Sequence, residues 1–190
     1  MTLRQPKTGY TPEEYLTIER EAEFKSEYFD GEMFAMTGAS RKHNLISLNV
    51  AANLHNRLKN SSCEVYTNDM RVKVSLTGLY TYPDIVIVCD TPEFEDSELD
   101  TLINPLVIIE VLSPSTENYD RGRKFQNYRT IPSLAEYIMI SQNRYYIEHF
   151  TRQSDNTWLF RETGDKAGVI QIASVECELT IEEMYAKVPE

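Results

Sequence analysis

The sequence predicts an α/β (α+β) fold in which a mixed central β-sheet is flanked by helices, with an N-terminal hairpin and antiparallel strands towards the C-terminus. Three observations carry this. Two almost unbroken aliphatic runs, Tyr82-Pro83-Asp84-Ile85-Val86-Ile87-Val88 and Pro105-Leu106-Val107-Ile108-Ile109-Glu110-Val111-Leu112, read as strands buried on both faces. Residues 42–59 place Val50, Leu54 and Leu58 at helical spacing. Residues 24–35 and 145–161 alternate around turn signals and read as antiparallel pairs.

Taken in order, Thr11 caps a helix that Pro12 opens, with Glu13 and Glu14 in its first turn, where acids complement the helix dipole. Asp30-Gly31 is a hairpin turn between strands near residues 27–29 and 32–35. Ser40 or a neighbour caps the long helix over 42–59, and His43 begins its apolar stripe, facing the sheet. The bland expectation for His43 is a bond to nearby backbone; the functional one is a place at the rim of a site. Residues 63–74 read as one strand bent at Asn68-Asp69, with Arg71 and Lys73 alternating against Val72 and Val74. That cationic face is either a solvated strand surface or a phosphate-facing edge. Residues 91–104 carry Glu93, Glu95, Asp96, Glu98 and Asp100 and read as a long solvated loop.

After the second aliphatic run, Ser113-Pro114-Ser115-Thr116 breaks the sheet and leads into a helix over 119–129, where Asp120, Lys124 and Tyr128 share one side. Residues 135–140 form an interior strand. Residues 145–150 and 157–161 pair across Asp155-Asn156, and 168–173 add a further strand. Thr180 and Glu183 form a capping box at a short terminal helix.

With 190 residues the chain fits a single domain, 1–190, of which 1–9 are expected to be flexible. A net charge of -11 argues against a surface broadly adapted to nucleic acid or to anionic membrane, though it leaves room for a local basic groove. Cys63, Cys89 and Cys177 show no zinc-ligand spacing and are expected to be free thiols in a reducing cytosol. The first residues are polar, and the apolar runs are far shorter than the roughly 18 residues of a membrane span, so a cytoplasmic chain without membrane attachment is expected.

The chemistry starts from Asp84 and Glu110, one carboxylate in each aliphatic run. A lone charge in a buried strand costs several kcal/mol unless it is paired or metal-bound. On neighbouring strands the two acids can converge, and a divalent cation with oxygen ligands would relieve both. Asp84 alone could be a strand-start residue bonding local backbone. Glu110, amid aliphatic neighbours, has no such local alternative, and an ion pair with Lys124 is the main competitor to metal binding.

The ordered set Tyr28-Phe29-Asp30-Gly31-Glu32, Met36-Thr37-Gly38-Ala39, His43, Tyr82-Pro83-Asp84, Glu110-Val111-Leu112-Ser113-Pro114-Ser115-Thr116, Asp120 to Lys124 and Glu136-Tyr137 resembles the Uma-two type restriction endonuclease family of the PD-(D/E)XK nuclease superfamily. The resemblance implies a restriction endonuclease-like core and a metal-dependent endonuclease acting on DNA, with Mg2+ or Mn2+ held by Asp84, Glu110 and the Val111 carbonyl. The superfamily's strand lysine is missing, since Leu112 stands there. The resemblance puts its replacement on the next helix, as Lys124. It also implies a further acid from the N-terminal region, Glu32 first and Glu27 behind it. His43, Arg71, Lys73 and Arg121 are the candidates for substrate contact. A homodimer is expected, because cutting two strands needs two sites. Two other readings are open: an inactive nuclease-fold module, favoured by Leu112 and the acidic charge, and a glycosidase using the paired acids. For the latter, no sugar-stacking aromatic cluster surrounds the acids.

Overall fold

The computed structural model describes residues 9–189. The expectation of a flexible segment over residues 1–9 therefore falls outside the described residues except at Gly9, whose N–H donates to the Gly31 carbonyl. In chain order the elements are α1 (Pro12–Glu21), β1 (Ser26–Phe29), β2 (Glu32–Ala35), α2 (Arg41–Leu58), β3 (Cys63–Thr67), β4 (Arg71–Val74), β5 (Leu79–Thr81), β6 (Ile85–Cys89), β7 (Thr101–Leu102) and β8 (Val107–Leu112). There follow α3 (Glu117–Tyr119), a π turn (Asp120–Lys124), α4 (Phe125–Tyr128), β9 (Glu136–Ser141), β10 (Ile147–Arg152), β11 (Trp158–Thr163), β12 (Val169–Ile172), β13 (Cys177–Thr180) and α5 (Ile181–Met184).

The mixed sheet is present, but the strands divide into more than one sheet. A six-stranded sheet has the order β11-β10-β9-β8-β6-β3, and a five-stranded sheet the order β2-β1-β5-β4-β7. The predicted hairpin opens the second sheet: Asp30 and Gly31 both take positive φ, as its tight turn requires. The single bent strand over 63–74 is corrected, because β3 pairs with β6 while β4 pairs with β5 and β7. The first aliphatic run is also interrupted, β5 ending before Pro83 and β6 starting after Asp84. β12 and β13 make a separate antiparallel pair.

Alternation sorts the core into layers. On one face of the six-stranded sheet, Ile85, Ile87, Ile109 and Ile138 pack under α2, α5 and the β12–β13 pair. On the other, Val86, Ile108, Tyr137 and Met139 pack against Val72, Val74 and Leu79 of the five-stranded sheet. Tyr15 of α1 joins Tyr28 and Tyr80 in a third cluster, with ring centroids 5.0 and 5.2 Å away. The capping boxes Thr11–Glu14 and Thr180–Glu183 both form.

Two further expectations are corrected. Cys63 and Cys89 are joined by a disulfide. Asp90 N–H bonds to the Ser62 carbonyl, so the adjacent Cys63–Cys89 pair falls at a non-hydrogen-bonded position of the ladder, where facing side chains come closest. Cys177 remains a free, buried thiol. The acidic segment over 91–104 is not a free solvated loop: Arg20 bridges Asp96 and Asp100 at 2.8 Å each, and β7 runs parallel to β4. Among the described residues no helix is long and apolar enough to cross a membrane.

Candidate active site

The site begins where a strand ladder fails. β6 and β8 run antiparallel with Ile85 opposite Ile109, and the same register would set Pro83 opposite Val111. Proline has no N–H to give, so regular pairing stops there. The Asp84 side chain takes over, its Oδ2 accepting from the Val111 N–H at 2.7 Å. In an extended strand the N–H and C=O of one residue face the same side. The Val111 carbonyl is thus turned towards a gap that Pro83 cannot fill. Asp84 N–H points in turn at Glu110 Oε2, 3.4 Å away.

Glu110 lies in β8 between Ile109 and Val111 and is only 4% exposed. Its Oε1 accepts from Lys124 Nζ at 2.8 Å and from the Tyr128 hydroxyl at 2.9 Å. Both donors come from the helical segment after Ser113-Pro114-Ser115-Thr116. Asp120, Lys124 and Tyr128 are all buried on its inner side, as their spacing predicts. The expected continuous α-helix is modified by the π turn, a widening that occurs mostly as single turns and often at functional sites. Lys124 Nζ is also 3.2 Å from Glu27 Oε1 and 3.6 Å from Asp120 Oδ1. Glu27 is held by the Thr81 hydroxyl at 2.5 Å.

α2 closes the opposite rim. Ser40 caps it, and His43 directs Nε2 at Asp84 Oδ2, 3.1 Å away, while Nδ1 lies 3.4 Å from the Ser47 hydroxyl. The partner of His43 is therefore a site carboxylate and not backbone. Electrostatically the cluster holds an excess of acid. Burial pushes the Glu110 carboxyl up; Lys124 pulls it back, and Asp120 and Asp84 push it further, to about 8. Burial also raises Asp120, with Lys124 opposing. Burial alone would lower the Lys124 amine, but Glu110, Tyr128, Glu27 and Asp120 around it hold it well above its ordinary value.

Among the described residues no three His, Cys, Asp or Glu side chains stand close enough to hold a metal ion by themselves. The residues fit a cation in a different way. Asp84 Oδ1 accepts no hydrogen bond from the described residues, Glu110 Oε2 has only the long contact from Asp84, and the Val111 carbonyl faces the same gap. Two carboxylate oxygens and a carbonyl are hard donors of the kind that Mg2+ and Mn2+ take.

Sequence reasoning placed Asp84, Glu110, Val111, His43 and Lys124, and the structure brings these together. Four others lie elsewhere. Glu32 is exposed on β2, an edge strand, opposite Phe29. Glu27, on the strand beside β5, reaches Lys124 instead. Arg71 is buried on the outer face of the five-stranded sheet, bonded to Asp100, Thr101 and Tyr82 at 2.8 to 2.9 Å. Lys73, on the same face, holds Glu95 at 2.5 Å. Because Val72 and Val74 turn inward, these cations must turn outward to α1 and the acidic segment, so neither forms a phosphate edge. Arg121 is taken by Glu148 at 2.7 Å and Glu117 at 2.8 Å. Thr81 was missed, since β5 gave no signal apart from the aliphatic run that follows it. Asp120 was read only as sharing one helix side with Lys124 and Tyr128 and as part of the family pattern, with no role of its own.

A family model described as Uma2, "Putative restriction endonuclease", matches residues 12–182. Two Synechocystis proteins, both described as uncharacterized, are similar along most of their length. One, sll1609, is 38% identical over 152 residues, covering 80% of this chain and 86% of that protein. The other, slr1290, is 33% identical over 182 residues, covering 95% of this chain and 93% of that protein. A crystal structure described as a putative nuclease belonging to DUF820, from Anabaena variabilis, superposes with a TM-score of 0.77 at 16% identity, covering 93% of this chain and 98% of that one. At that identity the likeness shows the fold.

Proposed function

We propose, from the premise that the chain belongs to the Uma2 restriction endonuclease family, that it is a divalent-metal-dependent endonuclease hydrolysing phosphodiester bonds in DNA. The observation that carries this is the Lys124 amine 2.8 Å from Glu110, beside an aspartate that replaces a missing ladder bond next to Pro83. Asp84, Glu110 and the Val111 carbonyl would hold Mg2+ or Mn2+. Such an ion supplies Lewis acidity and a more acidic water.

The side chains around it divide the remaining work. Lys124 replaces the lysine absent at Leu112. Its amine stays protonated, so it donates hydrogen bonds to water or a phosphate oxygen and stabilises developing charge; it does not take up a proton. Tyr128 and Lys124 fix the Glu110 carboxylate through one oxygen and leave Oε2 for the gap. Val111 N–H fixes Asp84 in the same way, through Oδ2. His43, on that same Oδ2, holds the rim and faces the approaching strand. A cut through both strands requires two such sites, hence a pair of chains; light scattering should give about twice the 22.0 kDa chain mass.

The second reading is an inactive nuclease-fold module. In its favour, Lys124 already neutralises the buried Glu110, as a purely structural pair would. The test is cleavage of supercoiled plasmid with manganese or magnesium, alongside calorimetric titration of manganese. Cleavage and saturable binding, both lost in the double Asp84→Ala, Glu110→Ala variant, support the enzyme. Binding without cleavage supports the module, and undiminished binding by the double variant removes the metal assignment.

A further inference from the structure

Arg71, Lys73 and Arg121 are tied to acids, so beyond Lys124 none of the predicted cations is left for the phosphate backbone. Other cations carry no ion pair among the described residues, and two of them, Lys42 and Arg144, line one cavity. Arg41 and Lys42 open α2, immediately before His43, and Arg144 follows β9. That cavity has a volume of about 250 Å3 and is lined as well by Gln142, Asn143, Tyr145, Tyr185, Val188 and Pro189. No acid among the described residues lines it. The Arg144 guanidinium packs over the Tyr146 ring at 4.2 Å, and Lys166 lies over Tyr145 at 5.2 Å, so cations and aromatic faces alternate here.

A chain of contacts links the cavity to the carboxylate site. Ser141, the last residue of β9, pairs in parallel with Leu112, the last of β8. The next residue, Gln142, is buried and accepts a hydrogen bond from the hydroxyl of Ser40, the cap of α2. His43, one turn into that helix, reaches Asp84. A path along the strand ends therefore leads from the four carboxylates past His43 and the α2 N-terminus to Lys42 and Arg144.

We propose that this cavity is the nucleic-acid backbone site of the protein: Lys42 and Arg144 pair with phosphates of the DNA strand that passes the carboxylates, and Tyr145 offers it a stacking face. Charge complementarity is the reason. In a chain of net charge -11, a polyanion is drawn to the place where unpaired cations meet without an acid, and sequence-independent DNA binding runs through Lys and Arg contacts to phosphate. The inference rests on the DNA reading above, and its test separates the two.

The experiment is fluorescence anisotropy with a short fluorescein-labelled DNA duplex, without divalent ion and again with calcium, over a series of salt concentrations. The protein is compared with Lys42→Gln/Arg144→Gln and with Lys59→Gln/Arg161→Gln, which removes two other unpaired cations away from the cavity. All three are checked for the same unfolding midpoint. The first pair should weaken binding about 10-fold or more near 0.1 M salt and flatten the salt slope by about 0.9 per lost phosphate contact. Lys42→Arg should restore most of its share. Equal losses in the two double variants, or none in the first, overturn the cavity site while DNA binding by the parent stands. No binding by the parent overturns the DNA reading, and this site with it.

Discussion

Two glutamates on adjacent parallel strands make the most instructive contrast in the molecule. Glu110 of β8 and Glu136 of β9 are both nearly sealed from water, yet they lie on opposite faces of one sheet and their carboxyls shift in opposite directions. Glu136 accepts from Ser174 N–H at 2.7 Å on one oxygen and contacts His149 Nε2 at 2.5 Å on the other. Burial alone would raise it, but His149 and Ser174 outweigh burial and hold it below its ordinary value of 4.5. Glu110 shares its surroundings with Glu27, Asp84 and Asp120 and has one amine for all of them. A buried acid with enough donors is a structural pin, here fastening the segment before β13 to the sheet. A buried acid among other acids is a place waiting for positive charge.

The largest expected effect comes from removing that amine. Lys124→Met should lower manganese-dependent plasmid cleavage by about 10²-fold or more, with manganese affinity little changed because the ligands remain. If the pair is only structural, the pattern reverses: stability falls by about 3–5 kcal/mol from an unpaired buried charge, and the ion partly restores it. Urea unfolding with and without manganese, run beside the cleavage assay, separates these. Full cleavage by a stable Lys124→Met protein ends the role given to Lys124.

On the other face, Glu136→Ala should cost about 1–3 kcal/mol by leaving the Ser174 N–H and His149 without their acceptor. Cleavage per folded molecule should not change; if it collapses while the protein stays folded, the division between the two faces is wrong. Stability against pH sharpens the contrast. The Glu110 carboxyl is raised from 4.5 to about 8, so its contribution is full below 4.5 and is lost as pH rises towards 8. The Glu136 carboxyl is lowered, so its contribution is full above 4.5 and is lost as pH falls below that value. In metal-free buffer, the parent should therefore lose ground to Glu110→Gln between pH 4.5 and about 8, and its advantage over Glu136→Gln should fade in acid. Parallel profiles for the two variants would abolish the contrast.

How much of this the chain discloses in advance depends on how local the cause is. Asp84 and Glu110 were legible because an acid inside an aliphatic run violates the burial rule wherever the run ends up. That Lys124 and Tyr128 share the inner side followed from helical spacing, which survives the π turn, while the role given to Lys124 came from the family resemblance. The hairpin, the capping boxes and most strands follow from turn residues and alternation. What stayed hidden depends on which sheet a strand joins. Arg71 and Lys73 alternate correctly, but nothing local says that α1 and the acidic segment cover their face. Glu27 and Glu32 flank one turn on the same side of the hairpin; only the addition of β5 beside β1 gives Glu27 the shorter reach. The Cys63–Cys89 bond requires the β3–β6 register, which no spacing in the chain encodes.

The smallest effect tests the contrast most finely. Tyr128 hydroxyl donates to Glu110 Oε1 at 2.9 Å and lies 3.4 Å from the Thr81 hydroxyl, with its ring buried against Tyr137. Tyr128→Phe keeps that packing and deletes a single donor, so the expected loss is about 1 kcal/mol in urea unfolding of the metal-free protein. On the Glu136 side every donor is needed, and deletion of one leaves a deficit that nothing supplies. On the Glu110 side a divalent ion can make up the loss, so saturating manganese should close most of the gap between Tyr128→Phe and the parent. Cleavage should fall only a few-fold, because Lys124 still holds the carboxylate. A Tyr128→Phe protein that is folded, binds manganese as the parent does and yet cuts as poorly as Lys124→Met would show that the phenol, and not the amine, is the group that meets the phosphate.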